Sequence, residues 1–554
     1  MAVNGANGAP PTNSVPLLDQ AMFTPRKLRL VCIGAGFSGL TLAYKIKHEL
    51  RLEHEFDLQI YDKNSDVGGT WYENRYPGVA CDTPAHTYVF QFEPNPNWSS
   101  FYAGGAEIWR YIKDTAIKYD LLPFVSLRSK VTDSTWNEEA GKWKLRISQD
   151  GTTIEDECDI LINASGILNK WFWPKIEGLK DFRGKLLHTA HWDKSYDWTG
   201  KKIAVIGNGS SAIQIVPQLQ PKAQLLVNFM RSPTWISANF LNEFTPEGAN
   251  FKYTEEEKKR FRDDPAFFLE LRRALEHAFN HFIVAMFDGR PEQEEVQIAF
   301  TNIMKDRLKG NEDLIARLIP AFKVGCRRLT PGDGYLEALQ QENARCQWNK
   351  IVKITERGIL TEEGEEEFDL IVCATGFDVS FRPSWNLVGR NGYRLDEAFR
   401  DYAKAYFGVS VAHVPNFFTY MGPKSPAAHG SLTGSLDAIT DYILKWCHKI
   451  ATEDIKAVCV KESAVDDLDI YSQEVLKRTV WAGPCKSWYK NGKEDGPVTA
   501  LHAGSAIHYR EILQDIRGEH FEFTYRSPNS FRFLGNGFSL REDAGGDLGY
   551  YLKR

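Results

Sequence analysis

Two glycine-rich turns restrict this chain more than any other feature. Each is entered from a short apolar run and left through a helical pattern. The first is Gly34-Ala35-Gly36-Phe37-Ser38-Gly39, preceded by Leu28 to Ile33 (LRLVCI) and followed by LTLAYKIKHEL. The second is Gly207-Asn208-Gly209-Ser210-Ser211-Ala212, preceded by Lys202 to Ile206 (KIAVI) and followed by IQIVPQL. Short apolar runs of this kind read as parallel strands buried on both faces. Strand, GxGxxG and helix in succession form the dinucleotide-binding context. The first glycine makes the tight turn, the second lets the backbone approach a pyrophosphate, and the third lets the helix pack on the strand. The helix N-terminus then faces the phosphates. Ala212 replaces the third glycine, where only packing is at stake. The expected fold class is α/β with two Rossmann-like dinucleotide-binding domains.

The next strand of each unit selects the nucleotide. Phe56 to Tyr61 ends in Asp62, a carboxylate that can bond both ribose hydroxyls of an ADP moiety and would repel a 2′-phosphate. That predicts FAD or NAD at the first turn. Leu225 to Phe229 has no acidic residue at its end and runs into Met230-Arg231-Ser232-Pro233. Arg231 beside the Ser232 hydroxyl suits a 2′-phosphate, so the second site reads as NADP(H).

Between the units lie a Gly-, Pro- and aromatic-rich loop, Asp66 to Asp82, and a hairpin of Lys130 to Trp136 with Lys142 to Ile147. Ile160 to Gly166 (ILINASG) and Phe368 to Gly376 (FDLIVCATG) are strands with matching small-residue ends, which fits a chain that crosses between two nucleotide domains and back. The domain expectation follows: a disordered tail over 1–25, the FAD-binding domain over 26–168 and 377–554, and the NADP-binding domain over 169–376. A helical insertion is expected at about 240–325, where Thr254/Glu257 form a capping box and Asp264-Pro265 an N-cap and N1 pair. Its stripe Phe268, Leu271, Leu275, Phe279, Phe282 and Met286 reads as core. The acidic run Glu362 to Glu367 reads as a solvated hairpin tip.

With 67 basic and 73 acidic residues, the chain has no basic excess pointing to nucleic acid. No run of about 18 apolar residues suggests a membrane span. The nine cysteines form no CxxC pair and join no histidine cluster, which argues against disulfides and zinc and suggests a reducing, cytoplasmic setting. Nothing in the sequence indicates an oligomeric state.

Phe182 to Asp193, FRGKLLHTAHWD, fits neither a helix face nor an alternating strand and reads as an interdomain segment. It resembles the FxGxxxHxxxW(P/D) signature of type I Baeyer–Villiger monooxygenases at Phe182, Gly184, His188, Trp192 and Asp193. The loop GGTWYENRYPGVACD resembles the family's second signature at Gly69, Trp71, Tyr76, Pro77, Gly78 and Asp82.

The resemblance implies a monooxygenase in which NADPH at the second turn reduces FAD at the first. Reduced flavin takes O2 to a C4a-peroxyflavin, which attacks a ketone, and the adduct rearranges to an ester or lactone. Sulfoxidation is an expected side activity. The implied catalytic pair is Arg328, the fixed cation that such anions require, with Asp82 holding it. The implied FAD set is Gly34, Gly36, Gly39, Asp62, Gly69, Thr70, Trp71, Tyr88 and Val131. The implied NADP set is residues 207–212 with Arg231, Ser232, Arg327 and Trp488, the last covering the nucleotide. His188 and Trp192 are implied to act through conformation and packing. Ala427, Ala428 and His429 stand where the family lines its substrate pocket, in a loop that also carries Lys424. An N- or S-oxygenating flavin monooxygenase, a non-catalytic FAD/NADP redox sensor and an uncoupled NADPH oxidase making hydrogen peroxide are the competing readings.

Overall fold

The computed structural model describes residues 15–237, 241, 244–245 and 248–552. Each glycine turn sits at the carboxyl end of the middle strand of a five-stranded parallel sheet. The first sheet has the order Phe417–Thr419, Ile160–Asn163, Leu28–Ile33, Phe56–Tyr61, Val125–Ser126. The second has the order Ala344–Gln347, Leu225–Phe229, Lys202–Ile206, Leu370–Cys373, Lys185–His188. The middle strands are apolar because both faces are covered: Leu28, Leu30, Val31 and Cys32 are fully buried, as are Ile203, Ala204 and Val205. The fold is thus α/β with two Rossmann-like units.

The two small-residue strand ends have a shared function in packing. A Cβ on Gly34 would lie 2.5 Å from the Ala164 carbonyl oxygen, and one on Gly207 would lie 2.4 Å from that of Ala374. Each glycine turn therefore passes directly under the end of the neighbouring strand. Beyond those ends the chain crosses between the sheets, and the crossings lie side by side. The Asp378 amide donates to Lys170 O at 2.7 Å, and Trp171 bridges Phe377.

A four-stranded sheet flanks the first unit: the hairpin Ser129–Asn137 with Lys142–Gln149, then Thr152–Cys158, and Asn386–Val388 contributed from far along the chain. Helix Leu432–Thr452 packs on helix Phe37–Tyr44, where the buried Lys45 ammonium donates to Asp441 at 2.6 Å. No helix among the described residues is long and apolar enough to cross a membrane.

Several expectations need correction. Residues 15–25 are not wholly a loose tail: Ala21 is buried, and the Met22 amide donates to Phe538 O, tying this segment to the C-terminal region; residues 1–14 lie outside those described. The acidic run is a tip only at Glu362 and Glu363, because Gly364–Glu367 returns as a strand against Gly358–Thr361. Among the described residues the first α-helix of the insertion is Glu255–Asp263, where the expected capping box forms, and the stripe turns into a 3₁₀ segment at Phe282–Met286. The start of that insertion includes positions outside the described residues. The segment Phe182–Asp193 is not just a connector, since Lys185–His188 is the edge strand of the second sheet. The expectation of no disulfide also fails: Cys326 and Cys485 are bonded across 159 residues of sequence. Local spacing cannot reveal a pair that distant, and the inference of a reducing compartment loses its support with it.

Candidate active site between the two nucleotide turns

A cavity of about 380 Å³ opens where the two units meet. Of the residues expected at the flavin, Gly34, Gly36, Asp62, Gly69, Thr70, Trp71, Tyr88 and Val131 line it. Gly39 does not: it lies beneath the turn, where a Cβ would come within 2.1 Å of Gly34 O. A Cβ on Gly36 would meet nothing closer than Gly69 Cα at 3.7 Å, so the backbone is bare on the cavity side. That is the cradle a pyrophosphate needs.

Asp62 is already engaged. Its Oδ2 accepts from the Ala35 amide at 2.7 Å and its Oδ1 from the Asn64 amide at 2.8 Å. The carboxylate therefore braces the glycine turn as well as facing the cavity, a role the ribose argument alone does not include. Trp71 Nε1 donates to the Tyr88 hydroxyl at 3.2 Å, fixing two aromatic rings on the same wall.

Asp82 and Arg328 meet in the cavity wall from positions 246 residues apart. Arg328 Nε donates to Asp82 Oδ2 at 2.8 Å and Nη2 to Oδ1 at 2.7 Å, a bidentate pair. Nη1 donates to Ala427 O at 3.2 Å, which links the cation to the loop carrying Ala428 and His429. The Asp82 charge raises the Arg328 pKa further above its usual range. The Arg328 side chain is still 37% exposed and lines the cavity. A fixed, always-charged donor thus faces a space large enough for a reactant.

From the second unit, Ser210 and Ser211 line the same cavity, as do Ala427, Ala428, His429 and Trp488. Gly207, Asn208, Gly209 and Ala212 lie outside that lining. A Cβ on Gly209 would meet nothing within 4 Å, so this turn too is open for a ligand. Arg231, Ser232 and Arg327 gather nearby. Arg327 Nη2 donates to Ser232 Oγ at 3.2 Å, Asn208 Nδ2 donates to Ser232 O at 2.6 Å, and burial followed by the Arg231 charge lowers the Arg327 pKa. Two guanidinium groups and a hydroxyl converge there, an arrangement matched to a phosphate.

The signature residues occupy structural positions. Phe182 folds over Gly184, where a Cβ would lie 2.4 Å from its ring. Trp192 packs into the second unit's core edge-to-face with Trp198. Asp193 accepts from Lys185, which holds its carboxyl well below the usual range. His188 is buried beneath both crossings: its ring stacks on Trp171 at 4.7 Å and Nε2 bonds Thr375 Oγ1 at 3.2 Å. Burial pushes its pKa down to about 4. Lys424 points away from the cavity, donating to Val498 O at 3.0 Å and to Asp469.

Sequence reasoning missed Phe279, which reaches the cavity from the helical stripe read as core. It also missed Gln214. This residue accepts from the Tyr76 hydroxyl at 2.6 Å and donates to Ala80 O at 2.9 Å, docking the GGTWYENRYPG loop on the helix after the second turn. A Cβ on Gly78 would lie 2.5 Å from Gln214 O, so the loop and this helix approach closely there.

Four histidines are held neutral by burial: His86 and His502 at about 3, and His188 and His429 at about 4. In the unfolded chain each titrates near 6.5. Their contribution is complete above pH 6.5. It is lost between about 6.5 and 4 for His188 and His429 and down to about 3 for His86 and His502, because the unfolded chain takes up protons that the fold refuses. Thermal melts should show Tm falling steadily as pH is lowered from 7 to 5; a flat Tm across that range contradicts the assignment.

Residues 32–104 match the model of an NAD(P)-binding Rossmann-like domain. The chain is 51% identical to the FAD-binding monooxygenase tazF of Aspergillus terreus, over 96% of this chain and 95% of that protein. It is 33% identical to a Baeyer–Villiger monooxygenase of Pseudomonas aeruginosa, over 90% of this chain and 92% of that protein. The structure of cyclohexanone monooxygenase from Rhodococcus sp. Phi1 bound to NADP+ shares the fold, with TM-score 0.78, 23% identity, and coverage of 91% of this chain and 100% of the other. Fold and relatives together define a flavoprotein monooxygenase. The chain belongs to the Baeyer–Villiger monooxygenase family.

Proposed function

We propose that this chain is an FAD-containing, NADPH-dependent Baeyer–Villiger monooxygenase that inserts one oxygen atom of O2 beside a ketone carbonyl, giving an ester or lactone. The observation that carries the reading is the bidentate Asp82–Arg328 pair, set in a cavity reached by residues of both glycine turns. A nucleotide-binding sensor has no use for a preorganised cation there. In this reading the chain divides as its sheets suggest, with the flavin held by the first unit and NADPH by the second.

FAD, when bound, supplies the redox and oxygen chemistry. The chain's own residues supply the rest. Gly34, Gly36 and the helix starting at Phe37 hold the pyrophosphate, and Asp62, braced on Ala35 and Asn64, meets the ribose. Trp71, Tyr88 and Val131, which line the cavity, would form the wall against the flavin ring system. Residues 207–212 cradle NADPH, Arg231, Ser232 and Arg327 take its 2′-phosphate, and Trp488 covers it. Arg328 stabilises the negative charge that develops when the ketone carbonyl is attacked, and Asp82 fixes its orientation. His188, stacked on Trp171, bonded to Thr375 and absent from the cavity lining, positions the crossings in this reading rather than moving a proton in the reaction. Ala427, Ala428 and His429 bound the substrate space, with Phe279 opposite.

Arg231→Ala tests the NADPH assignment. A charge-assisted contact is worth about 1.5–3 kcal/mol. Arg231 is exposed, so the lower end applies: KM for NADPH should rise about tenfold while KM for NADH is unchanged. Equal rises for both cofactors would remove the 2′-phosphate role. The reaction itself is tested by products: ester or lactone from a ketone panel with NADPH and O2 supports the reading, and hydrogen peroxide alone from every ketone opposes it.

A further inference from the structure

The disulfide Cys326–Cys485 lies at the site's edge, with a Cα–Cα distance of 6.3 Å. Arg327 and Arg328 follow Cys326 directly, and Trp488 stands three residues after Cys485. The two segments touch again where Arg327 Nε donates to Lys486 O at 2.6 Å. The other seven cysteines are unpaired. Burial raises their pKa values, to about 12 for Cys81, Cys346 and Cys373 and about 11 for Cys459, so they are poor nucleophiles. Cys326 and Cys485 are buried as well, at 0% and 2% exposure, but Cys326 directly precedes Arg327 and Arg328, and nearby cations favour the thiolate that attacks peroxide. A small cavity lined by Gly325, Arg327, Arg328, Met286 and Tyr489 lies against this loop and shares Asp82 and Arg328 with the main cavity. On the other side, Cys485 sits between exposed Pro484 and Lys486.

We propose that Cys326 and Cys485 are a reversible redox modification site, a clasp that fastens the Trp488 segment to the Arg327–Arg328 loop when oxidised and frees it when reduced. Hydrogen peroxide is the oxidant. The Cys326 thiolate attacks one peroxide oxygen, the O–O bond breaks, and a sulfenic acid forms with release of hydroxide, which is protonated to water. The Cys485 thiol then attacks the sulfenic sulfur, forming the S–S bond and releasing a second water. Overall, two thiols and one peroxide give one disulfide and two waters. A dithiol reductant reverses the state through a mixed disulfide and leaves as its own cyclic disulfide. The functional consequence rests on the reading that Arg327 and Trp488 hold NADPH: the closed clasp pre-orders both.

The test uses the purified holoenzyme after peroxide or dithiothreitol treatment. Peptides alkylated without reduction are examined by mass spectrometry, and NADP+ affinity is measured by titration in each state. A Cys326–Cys485 linked peptide should appear after peroxide and vanish after dithiothreitol. NADP+ binding should weaken by about 3- to 10-fold on reduction, the order expected for re-ordering a short segment on binding, and recover on reoxidation. Cys485→Ser should stay at the weak affinity and ignore both reagents, while Cys346→Ser should respond like the parent. If Cys485→Ser does not fold, the parent's cycle decides. Three results overturn the proposal: no linked peptide after peroxide, a linkage that dithiothreitol does not open in the folded protein, or a linkage that opens and closes with unchanged NADP+ affinity. Failure to bind NADP+ in either state overturns the underlying cofactor reading, and the proposal with it.

Discussion

Replacing Arg328 with alanine is expected to lower ketone oxygenation by about 10²- to 10³-fold, the loss that follows removal of one preorganised donor at a developing oxyanion. The fold should survive, because the Asp82 carboxylate and Ala427 O that lose their partner line the cavity. NADPH-driven flavin reduction should change far less, since the 2′-phosphate contacts assigned to Arg231, Ser232 and Arg327 are intact. Arg328→Lys should recover only part of the loss. It keeps the charge but not the planar fork that bonds both Asp82 oxygens, at 2.8 and 2.7 Å, while also reaching Ala427 O. Product formation in steady state and anaerobic flavin reduction, measured side by side, check this. An alanine variant that retains a third or more of the oxygenation rate would remove Arg328 from the chemistry.

Gly34→Ala should give protein that carries little or no FAD. The position has φ +115°, and the new Cβ would lie 2.5 Å from Ala164 O and 2.9 Å from Ala164 C, both backbone atoms of a buried strand end. Strain of this kind costs about 1–3 kcal/mol, and overpacking adds about as much again. The turn must move, and Ala35, whose amide bonds Asp62, moves with it. Gly209→Ala is the matched control in the second unit. Its φ is −82° and its Cβ meets nothing within 4 Å, so the fold tolerates it while the methyl fills space reserved for the nucleotide. Flavin per protein should be near zero for the first variant and unchanged for the second, which instead should lose NADP+ affinity. Full flavin content in Gly34→Ala would contradict the placement of the pyrophosphate.

The parts of the molecule legible in the sequence are those governed by local chemistry. The two glycine turns, their flanking buried strands and the Thr254 capping box each depend on residues a few positions apart. The Asp82–Arg328 pair was legible only through the family signatures, since nothing local connects positions so far apart. What stayed hidden depends on contacts between distant segments. Cys326 gives no sign of Cys485, and Phe279 looks like every other member of an apolar helical stripe until the helix is placed against the cavity. Asp62 fits a ribose by position, yet two amides already occupy its oxygens. His188 invites an acid–base role by its type, but two crossing segments bury it and keep it neutral. Lys424, in the loop expected to line the pocket, turns to Asp469, because an ammonium in an apolar interior needs a carboxylate partner.

The central claim is oxygen insertion next to a carbonyl, carried out at the cavity between the two turns. Its most direct test is turnover of the FAD-loaded enzyme with NADPH and a panel of linear and cyclic ketones under heavy-isotope-labelled O2, with products analysed by mass spectrometry. The account predicts an ester or lactone bearing one labelled oxygen for each NADPH consumed beyond the peroxide background, and loss of that product in the Arg328 variant. NADPH oxidation that yields only labelled hydrogen peroxide across the panel, or labelled oxygen found solely on amine and sulfide test compounds, would contradict it.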